Sequence, residues 1–261
     1  LLLGNEAQKL FPALLGGCTQ ASGSLCGDEG LAGLAASEPG SLVSRPESVL
    51  RSRGILLWGR NVSVTNPHFM PLLAEARKRG AVIGSVEVRA TPTTSFCDRT
   101  WIIRPGSDLD LALFLCGQAI RCGGLPEGAE NAEAFATVAL SVERSRVIEE
   151  TGLDDEGLGE LEAFVLSTSP LSTWMGWGMQ RARCGASLAS VLASLSMLTG
   201  NRGLPGGGFT FNQEIEGLVP EGLASVEGSS PRVLPRNGLG RALFEADPPV
   251  EAAFIVRGNP V

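Results

Sequence analysis

The chain has 261 residues, of which 43% are hydrophobic, and it contains 34 glycines, 16 prolines and no tyrosine. Its formal net charge is −7 and its pI is near 4.9, which argues against a nucleic-acid or anionic-membrane surface and favours a small molecule as the partner. No apolar run approaches the roughly 18 residues that span a bilayer, and the six cysteines form no Cys-x-x-Cys pair typical of zinc or iron–sulfur sites.

The first thirty residues predict a helix followed by a loop. Apolar residues recur at helical spacing over residues 1–15, and a pair of glycines ends the pattern. Residues 16–30 are rich in Gly and Ser, which predicts an irregular loop. Cys26 lies in this loop and has two interpretations: a thiolate open to a metal or substrate, or a loop cysteine packed against neighbouring helices. A short helix is predicted over residues 31–36.

A strand, a glycine turn and a helix follow over residues 54–79. The apolar run 55–58 meets Gly59 and a polar turn, after which residues 67–79 have helical spacing. A second apolar strand over residues 81–89 completes a right-handed βαβ unit with parallel strands. Because open α/β sheets bind ligands at the carboxyl ends of their strands, we expect a ligand near the turn at Gly59.

Acidic and basic residues end the next two strands. Glu87 lies where dinucleotide-binding folds place an acidic residue that accepts hydrogen bonds from ribose hydroxyls. It follows Gly59 by about 28 residues rather than the usual ~20, and no Gly-x-Gly-x-x-Gly is present, which argues against an ordinary NAD-binding domain. A third apolar strand delivers Arg104 to its end, a charge that suits an anionic or carbonyl-bearing ligand. Asp108 can cap the helix predicted over residues 109–121.

The second half repeats the pattern of strand, glycine turn and helix. Residues 173–181 predict a strand that ends in a glycine-rich turn, and residues 186–198 predict an apolar helix.

The remaining stretches have weaker patterns. Residues 91–95 predict a hydroxyl-rich turn, residues 212–247 are interpreted as irregular, and residues 251–256 are interpreted as a strand. His68, the only histidine of the chain, is interpreted as a helix-start residue rather than a general base.

Ordered motifs along nearly the whole chain resemble the molybdopterin oxidoreductases of the dimethyl sulfoxide reductase superfamily. The motifs are residues 16–17 with 23–27, 57–61 with 65–68, 87–91, 103–108, 176–181, 198–203 with 205–208, and 258–260. Each motif alone is weak, but seven in the order of the family are a strong signal. The resemblance implies α/β domains that hold a bis(molybdopterin guanine dinucleotide) cofactor with molybdenum or tungsten.

The resemblance also implies a cofactor-binding role for two sets of residues. The set expected around one dinucleotide half is Gly59, Asn61, Thr65, Glu87, Arg89, Thr91, Arg104, Gly106 and Asp108. The set expected around the other half is Gly178, Gln180, Arg181, Gly258 and Asn259. Glu87 stands where the family usually has an aspartate that reads a guanosine, and Asp108 where a residue pairs with the N–H donors of guanine. The glycine turns are expected to approach the pyrophosphate and pterin groups.

Cys26 matches the family position that supplies the side-chain ligand to molybdenum. A soft thiolate suits that metal, and the metal in turn keeps the thiol deprotonated. The resemblance therefore implies that Cys26 is the metal ligand and a catalytic residue, with Ser24 and Asp28 as the alternatives in the same loop.

The resemblance further implies how the chain is organised. The family also has an N-terminal cysteine cluster for an iron–sulfur centre and a C-terminal barrel-like domain, so we expect a central fragment of a larger multidomain enzyme. We expect a Rossmann-like guanine-dinucleotide-binding domain at residues 20–125, and an incomplete second α/β domain at residues 126–261 with 1–19.

Two functions are compatible with this organisation. The expected activity is two-electron redox or oxygen-atom transfer on a small substrate, with electron-transfer subunits as candidate partners. The alternative is a non-catalytic or degenerate subunit that keeps the fold for assembly.

Overall fold

The computed structural model describes Leu14 and residues 18–24, 26–37, 44–211 and 232–255. The strands are β1 (Gln20–Ser22), β2 (Gly54–Trp58), β3 (Val82–Glu87), β4 (Arg99–Ile102), β5 (Leu171–Met175), β6 (Gly208–Thr210) and β7 (Val233–Pro235). The α-helices are α1 (Asp28–Ser37), α2 (Val62–Thr65), α3 (Met70–Lys78), α4 (Pro92–Phe96), α5 (Asp108–Gly123), α6 (Ala132–Leu140), α7 (Arg144–Thr151), α8 (Asp155–Ser167), α9 (Gly185–Leu198) and α10 (Leu239–Phe244). Short 3-10 helices lie at Pro46–Arg51, Pro67–Phe69 and Met179–Arg181.

The chain divides into two compact units. The central unit is Glu29–Gln213, and the terminal unit combines Leu1–Asp28 with Glu214–Val261. In the terminal unit β1 pairs in parallel with β7, with Gln20 beside Val233. Among the described residues, none of the helices has the length and apolar character needed to cross a membrane.

The central unit is built on one parallel sheet with the strand order β4-β3-β2-β5-β6. Successive strands proceed outward from β2 to β4 on one side, and β5 and β6 continue on the other side of β2. This is the order of a doubly wound sheet of Rossmann type, whose direction of growth reverses between β2 and β5. The predicted fold class, α/β with a Rossmann-like parallel sheet, is confirmed.

Helices cover both faces of the sheet, and its central strands are buried along their whole length. Every residue of β2 and β5 is buried, as expected for parallel strands between two helical layers. Alternate side chains point to opposite faces. Leu56 and Trp58 pack in the larger cluster, which includes side chains of α5, α8 and α9. Ile55 and Leu57 pack in the smaller cluster, with Phe69 and side chains of α3.

Several elements differ from the sequence-based expectations. The turn predicted over residues 91–95 is the start of α4, because Thr91 and Thr94 form a reciprocal capping box. The loop predicted over residues 16–30 contains β1 and the start of α1, and the stretch predicted as irregular contains β7 and α10. Residues 251–255, predicted as a strand, have no regular structure. The helix predicted over residues 1–15 lies outside the described residues except for Leu14.

The domain limits predicted from the sequence, 20–125 and 126–261 with 1–19, stay a prediction. The parallel sheet takes β2, β3 and β4 from the first predicted range and β5 and β6 from the second. Strands that are distant in the chain therefore share one hydrophobic core in the central unit.

The turns that follow β2 and β5 are packed backbone against backbone. The N–H of Gly176 donates to the carbonyl of Trp58 at 2.8 Å, and the N–H of Gly59 donates to the carbonyl of Val86 at 2.8 Å. A Cβ atom at position 176 would lie 1.7 Å from the carbonyl oxygen of Gly59. Gly59 itself has a φ of +59°, a conformation that side chains with a Cβ rarely adopt. Gly176 is therefore required by the close approach of the two turns, and Gly59 by its backbone conformation.

Replacing Gly176 by Ala tests this contact. The new methyl group must displace backbone atoms, and overpacking of this kind costs about 1–3 kcal/mol, so we expect a clear fall in the thermal midpoint of the full-length protein. Gly178→Ala is the matched control: its φ of −63° and ψ of −30° suit alanine, and its Cβ would meet no atom within 4 Å. Equal midpoints for the two variants would contradict the proposed packing constraint.

Candidate functional site

A cleft of about 530 Å³ opens at the carboxyl ends of β2, β3 and β5. This is the position where the strand order reverses, the usual ligand site of open α/β sheets, and the volume falls within the range of about 300–1,000 Å³ seen for small-molecule sites. The cleft is lined by Gly59, Arg60, Asn61, Thr65, Asn66, Glu87, Arg89, Thr91, Gly176, Trp177, Gly178 and Phe211.

The cleft brings together residues that the sequence had assigned to two separate turns. The predicted site residues in its lining are Gly59, Asn61, Thr65, Glu87, Arg89, Thr91 and Gly178. They come together because β3, β2 and β5 are adjacent and parallel, so that their carboxyl ends meet at one edge. The turn after β2 and the turn after β5 thus open onto one cleft.

Hydrogen bonds fix the turn that follows β2. The side-chain oxygen of Asn61 accepts from the hydroxyl of Thr93 at 2.8 Å and from that of Ser63 at 3.0 Å. The hydroxyl of Thr65 donates to the backbone carbonyl of Asn61 at 2.9 Å. Among the described residues nothing accepts from the amide nitrogen of Asn61, which can therefore donate to a ligand.

Thr91 lines the cleft, but its side chain also has a structural role. Its hydroxyl accepts from the N–H of Thr94 at 3.1 Å, as the N-cap of α4. The Thr94 hydroxyl in turn accepts from the N–H of Thr91. The capping box therefore holds Thr91 at the cleft wall.

Glu87 places a nearly buried carboxyl group in the cleft. It is the last residue of β3 and only 8% exposed. Burial raises the pKa of Glu87 above its ordinary value, the charge of Asp108 adds to that rise, and a backbone hydrogen bond from Val88 and the charge of Arg89 oppose it. A ligand that brought hydrogen-bond donors to this carboxylate would stabilise its ionised form.

Asp108 lies outside the cleft lining and supports β2 instead. Its Oδ1 accepts a hydrogen bond from the indole Nε1 of Trp58 at 2.9 Å. Burial raises the pKa of Asp108, and this hydrogen bond from Trp58 partly offsets the rise. The expectation that Asp108 caps α5 is wrong, because Ser107 is the N-cap and no side chain makes a capping bond there.

The other predicted contacts of this half also lie away from the cleft lining. The guanidinium of Arg104 donates to the carbonyl of Glu149 at 2.5 Å, near the C-terminus of α7, where a cation is favourable. Gly106, with a φ of +91°, forms the turn that leads to α5.

Gln180 and Arg181 follow the turn after β5 without lining the cleft. Gln180 is buried, and its side-chain oxygen accepts from the N–H of Gly30 at 2.8 Å, which ties the 3-10 helix to α1. Arg181 is exposed at the end of that 3-10 helix. Gly258 and Asn259 lie outside the described residues.

The loop of Cys26 belongs to the terminal unit. Cys26 is exposed, and its N–H donates to the hydroxyl of Ser24 at 3.0 Å. The same hydroxyl accepts from Gly27, and Asp28 accepts from the N–H of Ser24 at 2.6 Å. The side chains of Ser24 and Asp28 are thus engaged within the turn. In the described ranges no three His, Cys, Asp or Glu side chains are grouped so that they could hold a metal ion.

Five lining residues were not among the predicted site residues: Arg60, Asn66, Gly176, Trp177 and Phe211. Arg60 and Gly176 lie within two of the family motifs, residues 57–61 and 176–181. Their position in these motifs could have identified them as site residues. Phe211 follows a strand of three residues, and no local pattern marks it. Its ring stacks on that of Trp177 with centroids 5.3 Å apart, which gives the cleft an aromatic wall.

A doubly wound parallel sheet with a polar cleft at its switch point defines a ligand-binding α/β protein of Rossmann type. The model of the molybdopterin oxidoreductase family matches residues 7–242. The chain belongs to this family, as its ordered motifs predicted.

Two relatives from Bacillus subtilis (strain 168) align with 94% of the chain. The probable oxidoreductase YyaE is 29% identical over 260 residues, and the probable oxidoreductase YoaE is 28% identical over 253 residues. The aligned part covers 38% and 37% of these relatives, respectively. The chain therefore spans little more than a third of the length of these relatives.

Among solved structures, acetylene hydratase from Pelobacter acetylenicus is similar with a TM-score of 0.52 and 17% identity. The similarity covers 68% of this chain and 25% of that protein. At this level of identity the likeness shows a shared fold.

The raised pKa of Asp108 predicts how stability depends on pH. A carboxyl whose folded-state pKa exceeds its unfolded value stabilises the fold fully below the unfolded pKa and loses that contribution as pH rises through the folded pKa. Asp108→Asn keeps an oxygen acceptor for Trp58 but cannot ionise. We therefore expect the thermal midpoint of this variant, relative to the wild type, to rise as pH increases from the ordinary carboxyl range upward.

A second variant, Trp58→Phe with Asp108 intact, serves as the control. It removes the hydrogen bond that favours the ionised carboxylate of Asp108. The loss of stability between acidic and neutral pH should then be larger than in the wild type. A difference between wild type and Asp108→Asn that stays constant with pH would contradict the role of burial at Asp108.

Proposed function

We propose that this chain is the central cofactor-binding part of a molybdenum- or tungsten-dependent oxidoreductase. In this proposal the whole enzyme carries a bis(molybdopterin guanine dinucleotide) cofactor and performs two-electron redox or oxygen-atom transfer on a small substrate. Membership in the molybdopterin oxidoreductase family supports a molybdenum-cofactor redox function. The observation that carries the finer proposal is the single cleft shared by the glycine turns after β2 and β5.

The lining of the cleft fits an elongated, phosphate-bearing ligand. A Cβ at Gly178 would meet no atom within 4 Å, so the backbone there faces open space that a ligand can approach closely. Arg60 and Arg89 bring positive charge to the lining, and the ring of Trp177 offers a flat apolar surface. These three features suit phosphates and a fused heteroaromatic ring.

Glu87 is the residue that we propose to recognise the guanosine. An ionised carboxylate only accepts hydrogen bonds, so it matches the N–H groups of a guanine or the hydroxyls of a ribose. Its side chain is nearly buried at the end of β3, where such bonds are little weakened by water. Asn61, with its amide nitrogen available, is placed as a donor in the same cleft.

When bound, the cofactor supplies the metal and the two-electron chemistry, while the protein provides binding, orientation and electrostatics. In the central unit, the packed turns after β2 and β5 position the ligand. The buried side chains below them exclude water from the strand ends. In this proposal the electron-transfer pathway and the substrate pocket are formed by the full-length protein, of which this chain is one part.

We propose Cys26 as the protein ligand to the metal. Thiolates are good ligands for soft and high-valent metal centres, and binding keeps them deprotonated. Of the three candidates in its loop, Ser24 and Asp28 use their side-chain oxygens to hold the turn. Cys26 is exposed in that turn, and its sulfur is the softest donor atom of the three, which supports it over the two alternatives.

Metal and nucleotide analysis of the full-length protein tests the proposed cofactor. We expect molybdenum or tungsten in the purified protein, and guanine nucleotide released by acid hydrolysis at two equivalents per metal, as the bis form requires. A protein produced in cells competent for cofactor synthesis that contains neither metal would refute the proposal. A metal without guanine nucleotide would refute the dinucleotide form alone.

Replacing Cys26 by Ala tests the metal ligand and separates catalysis from a role in assembly. We expect X-ray absorption at the metal edge to show the loss of one sulfur ligand, together with a large loss of turnover. Cys122→Ala is the matched control, because Cys122 is also exposed but lies in the last turn of α5. Unchanged turnover and an unchanged metal environment in Cys26→Ala would favour a structural role for the loop.

A further inference from the structure

We propose that Arg60 is an anion-binding residue of the cleft, and that its guanidinium contacts a phosphate group of the ligand through the Nε–Nη2 edge. The assignment of that phosphate to a guanine dinucleotide rests on the proposed function. The anion site itself rests on the contacts of Arg60.

The guanidinium of Arg60 is held in place by two contacts on β5. Its Cζ lies 5.4 Å from the centre of the Trp174 ring, which is fully buried. Its Nη1 donates to the backbone carbonyl of Met175 at 3.2 Å. Because Arg60 directly follows Gly59, the cation sits where the turns after β2 and β5 meet, in the wall of the cleft.

The opposite edge of this guanidinium has no hydrogen-bond partner in the described part of the chain. Nε is buried and makes no hydrogen bond, and Nη1 is the nitrogen that bonds Met175. Burial lowers the pKa of Arg60, and no carboxylate of the described residues offsets that effect. A buried donor without a partner is costly, so an anion that paired with this edge would stabilise the folded protein.

The chemistry of the edge selects an anion with two oxygens. The Nε–H and Nη2–H groups of arginine are coplanar and parallel, and they match two oxygens of a phosphate or carboxylate. The lining of the cleft contains two arginines, Arg60 and Arg89, and one carboxylate, Glu87. This local excess of positive charge, in a chain whose net charge is −7, favours a negatively charged ligand.

Arg77 shows the same local arrangement with its charge already paired. Its Cζ lies 4.1 Å from the centre of the Phe96 ring, and its Nη1 donates to the carbonyl of Phe96 at 2.8 Å. Asp98 lies 3.7 Å from the same nitrogen. Arg77 is outside the cleft lining, and a carboxylate of the protein supplies its counter-charge, at Nη1 rather than at the Nε–Nη2 edge.

The experiment measures binding of inorganic pyrophosphate, GDP and guanosine to full-length protein prepared without cofactor, by isothermal titration calorimetry. We expect Arg60→Met to weaken the binding of pyrophosphate and GDP at least about tenfold. Guanosine, which has no phosphate, should bind with unchanged affinity. Arg77→Met removes the same ring contact and backbone bond elsewhere, and it should leave all three affinities unchanged.

Arg60→Lys keeps the positive charge but removes the planar pair of donors. We expect pyrophosphate and GDP to bind this variant more weakly than the wild type, which tests the proposal even where Arg60→Met does not fold. Wild-type affinities for pyrophosphate and GDP in both Arg60 variants would overturn it, as would a wild-type protein that binds neither compound. Pyrophosphate binding that depends on Arg60 would uphold the anion site. If the protein purified from cells competent for cofactor synthesis nevertheless contained no molybdenum, tungsten or guanine nucleotide, the proposed function would be refuted and the anion site would stand.

Discussion

The site depends on the contact between the backbones of Gly59 and Gly176. Trp58 of β2 lies beside Met175 of β5 in the parallel register, so the two strands end at the same level. The hydrogen bond from Gly176 to Trp58 then extends the ladder by one residue into the turns. Any side chain at Gly176 would force these turns apart. Because the strands come from distant parts of the chain, a cleft forms that neither turn can build alone.

The carboxyl groups of Asp108 and Glu87 lie near the ends of β2 and β3 and have different roles; Asp108 is half-buried and Glu87 is nearly buried. Asp108 accepts from the indole of Trp58 and so fixes the last side chain of β2 under the cleft. Glu87 lies in the cleft lining, and burial raises its pKa. The charge of Asp108 adds to that rise. Glu87 accepts a backbone hydrogen bond from Val88 and Asp108 accepts one from the indole of Trp58. Only Glu87 lines the cleft, where a ligand can bring further donors.

The fold of the central unit was largely predictable because its signals are local. The apolar run ending at Gly59 matches β2, and the similar run before Gly176 matches β5. The strand order was not part of the prediction, because β5 pairs with β2 rather than with β4, which precedes it in the chain. The end of the chain was less predictable: residues 251–255 have the apolar composition of a strand but no regular structure, because composition alone does not provide a neighbouring strand.

The individual site contacts were harder to predict because their partners are distant in the sequence. Gln180 was expected at the ligand, yet it accepts from Gly30, 150 residues away in the chain. Arg104 follows the end of β4, as expected, and its guanidinium donates to the carbonyl of Glu149. In both cases the polar group is satisfied by a backbone atom that tertiary packing brings close, and no motif records such a partner.

Arg60 shows the converse case. In the sequence Arg60 lies between two predicted site residues, Gly59 and Asn61. Nothing in the sequence, however, shows that its side chain would bind a ligand rather than point into solvent like other polar turn residues. Its importance comes from burial: the ring of Trp174 and the carbonyl of Met175 hold one side of the guanidinium, and the other side has no partner in the described chain. Arg77, with a similar ring and carbonyl, is paired with Asp98. Because no carboxylate among the described residues pairs with Arg60 in the wall of the cleft, we infer that a ligand supplies its counter-charge.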